Sequence, residues 1–368
     1  MTTDERIKDW PQVLPRQTLL QAEHLQLYFP IKRGVLIERT VGHVHAVDDV
    51  SFSLAEGQTL GIVGESGCGK STLARCLVRL LEPSAGTLRF GDRDITHLGR
   101  RRLQFFRREA QLVFQDPVSS LNPRKRVGQI VGTPMRLSGT KRDAVQSRVR
   151  ELLDRVGLNP EHVNRFPHEF SGGQRQRIGV ARALAVHPRL IVLDEPVSAL
   201  DVSIQAQVVN LLDDLQEDLG LSYVFIAHDL SVVRHVSDRI AVMYLGKFME
   251  ISPAAELYRE PIHPYTAALL AANPIPDPEE NRRRDRWIIG GEPPNPIDPP
   301  SGCRFHTRCP LATEICAREE PPLAEYPGGH LAACHHPMNV GPAEISAATR
   351  SPLSPLSAGQ RMPEYRAP

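Results

Sequence analysis

The stretch GESGCGKST, residues 64–72, matches the pattern G-x-x-x-x-G-K-[ST]. The apolar run TLGIVG leads into it and the helical pattern KSTLARCLVRLL follows, which is the context in which this pattern forms a phosphate-binding loop. Backbone N–H groups of such a loop surround phosphates, and the helix start adds positive potential. We expect Lys70 to reach the β- and γ-phosphates and Ser71 to help hold Mg²⁺. The predicted nucleotide-binding loop consists of Gly64, Glu65, Ser66, Gly67, Cys68, Gly69, Lys70, Ser71 and Thr72.

A pair of carboxylates ends a second apolar run, LIVLDEP at 190–196. Asp194 stands at the carboxyl end of the predicted buried strand, where it would lie near Mg²⁺. Glu195 follows at once and could polarise a water for in-line attack on the γ-phosphate. The alternative is that the two carboxylates cap the next helix. Beside the phosphate-binding loop, the sequence favours the catalytic interpretation.

Two further polar residues end apolar runs, Gln115 in LVFQDP and His228 in YVFIAH. We expect both at the same sheet edge as Asp194, with Gln115 near Mg²⁺ and His228 near the γ-phosphate. Gln115 also stands at the entrance to a helical segment that it could move. A lone histidine at a strand end is often structural, and this alternative stays open. The residues predicted to be catalytic are Lys70, Glu195 and His228.

The stretch FSGGQRQR, residues 170–177, opens a helical pattern with one serine and two adjacent glycines. The serine suits a helix N-cap, but each glycine costs about 1 kcal/mol in a helix. The exposed N–H groups of such a helix start form an anion site. Since the chain already has one phosphate-binding loop, we expect this helix to face the nucleotide of a second subunit. The predicted contacts are Ser171, Gly172, Gly173 and Gln174.

Composition bounds the rest of the chain. The net charge is +1, so nothing draws the protein as a whole to nucleic acid, and no apolar run is long enough to span a membrane. Apolar runs alternating with helical patterns predict an α/β fold with a mostly parallel sheet covered by helices. We expect a core at about 18–255 with a helical subdomain at about 95–170, and a proline-rich, loop-rich module at 256–337. Residues 1–17 and 338–368 are predicted to be disordered.

Four motifs, GESGCGKS, FSGGQRQRIGVARAL, LIVLDEPVSALD and FIAHDL, together resemble the ATP-binding subunits of ABC transporters. The resemblance covers about residues 19–255. It implies a P-loop ATPase domain with an antiparallel β edge, two of which enclose two ATP molecules. It would place Asp201 at the dimer seam and an aromatic residue against adenine. Phe29 has the expected offset, with Tyr28 as the alternative, and an aromatic residue at a strand end could equally belong to the core.

Further stretches are similar to the oligopeptide/dipeptide importer ATPases, specifically the F-type subunit: QDPVSSLNPRKRVGQI, HPYTAALLAANP and PIDPPSGCRFHTRCPLATEICA. This resemblance covers about residues 19–337. It implies an ATP-hydrolysing subunit of a bacterial peptide importer, peripheral on the cytoplasmic face of the inner membrane. Implied partners are a paralogous ATPase subunit, two transmembrane permeases and, indirectly, an external solute-binding protein. Import of a nickel chelate or glutathione remains an alternative, as does an ABC ATPase acting on DNA or ribosomes.

Four cysteines, Cys303, Cys309, Cys316 and Cys334, cluster in the proline-rich module. Such a set suits tetrahedral zinc or an iron–sulfur cluster. Because no pair has the C-x2–4-C spacing of zinc knuckles, the spacing favours a cluster, and the resemblance implies [4Fe–4S]. Free or disulfide-paired cysteines are the third alternative. Histidines that could replace a cysteine ligand, but that we expect to be solvated, are His306, His330, His335 and His336.

Other residues could suggest chemistry that we do not expect. Cys68 within the phosphate-binding loop could form a redox switch, but a small side chain filling a tight loop is the favoured interpretation. The basic runs at 99–109 and 281–287 could bind nucleic acid. Acidic neighbours favour solvated faces, or contacts with a permease or lipid head groups, so no nucleic-acid partner is predicted.

Overall fold

A computed structural model describes residues 17–33, 39–116, 120–272, 290–341 and 349–350. The segments predicted to be disordered lie largely outside these residues, as does the basic run at 281–287. The chain is organised around two β-sheets, with helices on the larger one. The predicted domain boundary near residue 255 stays a prediction.

The strands of the described residues are β1 (Thr18–Arg33), β2 (Arg39–Ala55), β3 (Thr59–Val63), β4 (Ala85–Phe90), β5 (Arg93–Asp94), β6 (Ala110–Val113), β7 (Leu190–Asp194), β8 (Ser222–Ile226), β9 (Arg239–Tyr244), β10 (Lys247–Pro253), β11 (Ala324–Tyr326), β12 (His330–Ala332) and β13 (Thr349–Arg350). The α-helices are α1 (Lys70–Leu77), α2 (Phe106–Glu109), α3 (Val127–Leu137), α4 (Arg142–Arg155), α5 (Gly172–Leu184), α6 (Val202–Leu219), α7 (Leu230–Val236), α8 (Ala254–Arg259), α9 (Pro264–Ala272) and α10 (Glu314–Arg318).

The larger sheet has the strand order β13-β11-β12-β10-β9-β3-β8-β7-β6 in the described part of the chain. Strands β6 to β9 and β3 pair in parallel, and every residue of β3, β7, β8 and β9 is buried. Parallel strands covered on both faces read as continuous apolar runs. The smaller, antiparallel sheet has the order β2-β1-β4-β5. The predicted α/β fold with a parallel core and an antiparallel β edge is confirmed.

Two hydrophobic cores lie on opposite faces of the larger sheet. Ile191 and Leu193 of β7 belong to one core, which the helices α3 to α7 complete. Leu190 and Val192 belong to the other, which α1 and the smaller sheet complete. Alternate residues of a strand point to opposite faces, so β7 joins the two cores. This packing fixes the end of β7, where the predicted acidic pair stands.

The C-terminal residues extend the larger sheet. Strand β12 pairs antiparallel with β10, with Ile251 opposite Leu331, and Leu331 packs in the core beside α1. Cys303, Phe305 and Cys316 pack in the other core. The proline-rich module is therefore joined to the preceding α/β core by strand pairing and by apolar packing.

Candidate functional site

The stretch 64–72 forms a loop between β3 and α1, and two of its glycines are required by the backbone. Gly64 has φ +155° and Gly69 has φ +108°. A Cβ atom at Gly64 would overlap the carbonyl oxygen of Met243, and one at Gly69 would overlap that of Ala46. Within the loop, Ser66 and Gly67 are exposed, and Thr72 lies half-buried in the first turn of α1.

Lys70 is buried at the start of α1 and donates to the loop's own backbone. Its Nζ lies 2.7 Å from the carbonyl oxygen of Gly64 and 2.9 Å from that of Glu65. Cys68 is also buried, with its Sγ 3.8 Å from Nζ, and burial raises the pKa of its thiol. The amine is therefore held inside the loop. A raised thiol pKa agrees with the interpretation of Cys68 as a space-filling residue.

Ser71 and Asp194 lie together at the carboxyl edge of the sheet. The Ser71 hydroxyl donates to Asp194 Oδ1 across 2.9 Å. Asp194 is the last residue of β7 and is 2 % exposed. Burial raises the pKa of this carboxyl, although the hydrogen bond from Ser71 acts in the opposite direction. A buried carboxylate and a hydroxyl are oxygen donors of the kind that Mg²⁺ prefers.

Glu195 lies next to Gln115 and His228, the polar residues that follow the neighbouring apolar runs. The Gln115 side-chain amide donates to Glu195 Oε2 across 2.8 Å, and His228 Nδ1 lies 3.7 Å from the same oxygen. Glu195 has φ +47°, a conformation that a non-glycine residue adopts mainly where its surroundings impose it. Its backbone N–H donates to the carbonyl of Ile226 across 2.9 Å. The structure thus brings Gln115, Glu195 and His228 together, as their positions at strand ends predicted.

The helix α5 begins at the predicted N-cap. Ser171 Oγ accepts from the Gln174 N–H across 3.3 Å, while Gln174 Oε1 accepts from the Ser171 N–H across 3.1 Å. This reciprocal pair is a capping box. It fixes the first turn of α5 with the Ser171 and Gly172 positions exposed.

The two glycines of this turn differ in their surroundings, which the sequence did not indicate. A Cβ atom at Gly173 would overlap Cγ2 of Ile204 in α6, whereas one at Gly172 would lie 3.3 Å from Leu200. Gly173 therefore permits close packing within this chain. Asp201 is exposed at the N-terminus of α6, and its carbonyl accepts from the Ile204 N–H across 2.9 Å.

The two aromatic candidates for stacking on adenine lie next to each other in β1. Tyr28 already has partners within the chain. Its hydroxyl donates to Asp48, and its ring centroid lies 4.4 Å from that of His45. Phe29 is 39 % exposed. The contacts of Tyr28 favour Phe29 as the residue that remains available to a ligand.

The four clustered cysteines are brought into one neighbourhood. Burial raises the pKa of Cys334 to about 12, and the charges of the other three cysteines act in the same direction. The His336 N–H lies 3.3 Å from Cys334 Sγ, and the Cys303 N–H donates to the Cys316 carbonyl across 2.8 Å. All four are free thiols. In the described part of the chain, however, no three His, Cys, Asp or Glu side chains are placed to hold a metal ion.

One contact of the phosphate-binding loop was not predicted. Both terminal nitrogens of Arg308 donate to the Glu65 carboxylate, at 2.8 and 3.1 Å. Glu65 and Arg308 are separated by 243 residues, and no motif of the sequence connects them.

The fold and the loop at 64–72 define a P-loop nucleoside triphosphatase. The family profile described as "ABC transporter" matches residues 47–198, and the profile "Oligopeptide/dipeptide transporter, C-terminal region" matches residues 249–316. The chain belongs to the ABC transporter family of ATP-binding proteins, as its motifs predicted. No helix among the described residues has the length and apolar character needed to cross a membrane.

Curated relatives and solved structures agree with this assignment. The oligopeptide transport ATP-binding protein AppF of Bacillus subtilis is 53% identical over 323 residues, which cover 87% of this chain and 98% of AppF. The oligopeptide transport ATP-binding protein OppF of Escherichia coli is 50% identical over 311 residues, covering 84% and 93%. The dimeric post-hydrolysis structure of the ATP-binding cassette MJ0796, bound to ADP and Pi, is 26% identical with a TM-score of 0.57, covering 64% and 99%.

Proposed function

We propose that this chain is the ATP-binding and ATP-hydrolysing subunit of a bacterial importer of di- and oligopeptides. Two hydrogen bonds at the sheet edge beside the loop at 64–72 support the ATPase function. Ser71 donates to Asp194, and Gln115 donates to Glu195. The class of cargo rests on relatives named as oligopeptide transport ATP-binding proteins and on the match of the C-terminal region.

Nucleotide binding uses the loop and the helix that follows it. The backbone N–H groups of the loop receive the phosphates, and Lys70 exchanges its carbonyl partners for β- and γ-phosphate oxygens. Ser71, Asp194 and Gln115 are the residues that would hold Mg²⁺. When bound, Mg²⁺ neutralises charge on the phosphates. Phe29 stacks on the adenine.

Hydrolysis uses the residues around Glu195. The Glu195 carboxylate accepts a proton from the attacking water, and the Gln115 amide fixes one of its oxygens at 2.8 Å. His228, whose side chain is 58% exposed, contacts the γ-phosphate. Because Gln115 precedes the helices α3 and α4, its hydrogen bond with Glu195 connects the state of the site to the surface that would meet the permeases.

A second ATPase subunit completes the site. Ser171, Gly172, Gly173 and Gln174 at the start of α5 contact the nucleotide of that subunit, and Asp201 lies at the seam between the two. The MJ0796 cassette, solved as a dimer bound to ADP and Pi, supports a dimer of ATPase subunits by analogy. We propose a paralogous ATPase subunit as the partner, with two transmembrane permeases and, indirectly, an external solute-binding protein. The chain would then lie peripherally on the cytoplasmic face of the inner membrane.

The four-cysteine group is proposed to bind an iron–sulfur cluster, with a zinc ion, or cysteines without a metal, as the alternatives. Four cysteines are the donor set that such a cluster takes. The His336 N–H, 3.3 Å from Cys334 Sγ, favours the thiolate, while burial of Cys334 acts in the opposite direction. The geometry of the group does not yet form a ligand set, so binding would draw the sulfurs together. Iron, zinc and acid-labile sulfide, measured on protein purified without oxygen, decide between them. About four irons with matching sulfide establish the cluster, and one zinc without sulfide excludes it.

Purification of the tagged chain from membranes tests the proposed assembly. The expected result is a complex with a second ATPase subunit and two hydrophobic permeases, which hydrolyses ATP. Recovery of the chain with ribosomes or DNA, and without permeases, would overturn the importer function while leaving the ATPase site intact.

A further inference from the structure

The proline-rich module contacts the phosphate-binding loop through a partly buried ion pair. The Arg308 guanidinium bonds both oxygens of the Glu65 carboxylate, at 2.8 and 3.1 Å. The Arg308 side chain is 7% exposed and that of Glu65 is 23% exposed. A bidentate pair of this kind fixes orientation as well as distance. Arg308 stands next to Cys309 in the sequence, so this contact belongs to the module itself.

The backbone of Glu65 is held as firmly as its side chain. Its N–H donates to the Tyr265 hydroxyl across 3.0 Å, and its carbonyl oxygen accepts from Lys70 across 2.9 Å. Tyr265 packs against Phe305 of the module with ring centroids 5.1 Å apart. Arg308 also donates to the hydroxyl of Tyr244, at 3.2 Å. Residue 65 is therefore fixed at three groups, two of them by residues outside the loop.

A second arginine of the module reaches the strand β2, beside the same loop. Arg304 forms a buried ion pair with Asp48 and donates to the carbonyl of Leu245. The next residue, Gly246, donates its N–H to the carbonyl of Cys68 in the loop across 2.8 Å. Arg308 thus contacts the phosphate-binding loop directly, and Arg304 contacts a residue next to one that bonds the loop.

These contacts order the loop before a ligand arrives. A phosphate cradle made of backbone N–H groups binds well only when those groups already point inward. The tip of the loop is exposed at Ser66 and Gly67, so the contacts that reach Glu65 from outside the loop add to the bonds that Lys70 makes within it. We propose that Arg308 is a positioning residue for ATP binding, acting through Glu65. This inference rests on the proposed nucleotide site at 64–72.

A double-mutant cycle on the full-length chain tests the proposal. Arg308→Gln, Glu65→Gln and the double variant are titrated with a fluorescent ATP analogue in Mg²⁺. Each single variant is expected to weaken binding roughly three- to tenfold, because only part of the free energy of a charged hydrogen-bonded pair acts through the ordering of the loop on the affinity for ATP. The double variant is expected to be no weaker than either single variant, because both changes remove one interaction. The matched control is Arg318→Gln, which removes an exposed pair with Glu314 in the same module and is expected to leave binding unchanged.

The possible outcomes separate this inference from the function on which it rests. Unchanged affinity in both single variants, or losses that add in the double variant, would overturn the role of Arg308. If Arg308→Gln lowers the melting temperature strongly, Glu65→Gln decides, since it leaves the module intact. Lys70→Ala is expected to abolish binding. If Lys70→Ala binds the analogue as the parent does, the assignment of the nucleotide site to residues 64–72 is wrong. If Lys70→Ala does not bind it, the site stands, and the variants at Glu65 and Arg308 test only the positioning role of Arg308.

Discussion

Gln115 donates its side-chain amide proton to Glu195 across 2.8 Å, which joins the entrance of the helical region to the proposed general base. Gln115 follows the end of β6 and Glu195 follows the end of β7, and these two strands are neighbours in the parallel sheet. The pair therefore forms at the carboxyl edge, where the phosphate-binding loop also lies. A substitution of Gln115 should therefore alter the position of the Glu195 carboxylate, and a substitution of Glu195 should alter that of the Gln115 amide.

Replacing Glu195 with glutamine should separate ATP binding from hydrolysis. The amide keeps the size of the side chain but cannot accept the proton of the attacking water, so we expect hydrolysis to fall by about 10²- to 10⁴-fold. ATP binding should persist and should trap a closed dimer, visible by size-exclusion chromatography. Glu82→Gln, at an exposed surface carboxylate, is the matched control with normal turnover. Normal turnover in Glu195→Gln would remove Glu195 as the base.

The glycines at the start of α5 should respond differently to alanine. In Gly173→Ala the new Cβ overlaps Ile204, so we expect a loss of about 1–3 kcal/mol in the free energy of unfolding. Gly172→Ala, which has more room, should unfold nearly as the parent does and yet lose ATPase activity in the assembled complex. Urea denaturation and ATP hydrolysis measure the two effects.

Ile204→Ala in combination with Gly173→Ala distinguishes local packing from a contact with the second subunit. Removal of the Ile204 side chain should restore much of the stability, since the overlap is gone. ATPase activity should remain low if Gly173 also contacts the partner's nucleotide. Recovery of both stability and activity would show that Gly173 serves only its own chain.

The choice between the two aromatic residues of β1 can be tested by affinity. Phe29→Ala should weaken ATP binding by about 1–3 kcal/mol, the typical contribution of one base stacked on an aromatic ring. Tyr28→Phe removes only the hydroxyl that donates to Asp48 and should leave the affinity unchanged. An unaltered affinity in Phe29→Ala, measured by calorimetry, would contradict the assignment.

Glu250 gives the protein a specific dependence of stability on pH. Its carboxylate is fully buried and accepts from the Ile262 and His263 N–H groups, each across 2.9 Å. Burial raises its pKa from 4.5 to about 7. Between these values the folded state holds a proton that the unfolded state has lost. The stability due to Glu250 is therefore complete below pH 4.5 and is lost as the pH rises through 7.

Glu250→Gln removes this dependence. The unfolding free energy of the variant minus that of the parent should rise by about 2–3 kcal/mol between pH 5 and pH 8. This follows from about 1.4 kcal/mol per pKa unit, because the parent loses the contribution of Glu250 over this range and the variant does not. Burial lowers the pKa of His330, whose Nε2 lies 3.3 Å from Glu250 Oε1, to about 4, and that of His263 to about 3. Both shifts act in the opposite direction, and both histidines are present in the parent and in the variant. Urea denaturation at the two pH values measures the difference, with the exposed Glu260→Gln as the control. A constant difference would show that Glu250 does not titrate in this range.

The sequence predicted those parts of the fold and site that depend on local pattern. The loop at 64–72, the strand that ends in Asp194 and the capped start of α5 each follow from residues within one short stretch. Contacts between distant stretches could not be predicted in this way. The close approach of Gly173 to Ile204 depends on how α5 packs on α6. The ion pair of Arg308 with Glu65 depends on the path of a proline-rich segment. The pairing of β12 with β10 was missed because three-residue strands have no readable period.

ATP-dependent peptide uptake tests the central claim most directly. The complex of this chain with its permeases is reconstituted into vesicles with the solute-binding protein outside and ATP inside, and accumulation of labelled peptides is measured. We predict uptake that requires ATP and that disappears with Lys70→Ala. ATP hydrolysis by the parent complex without accumulation of any di- or oligopeptide would contradict the account.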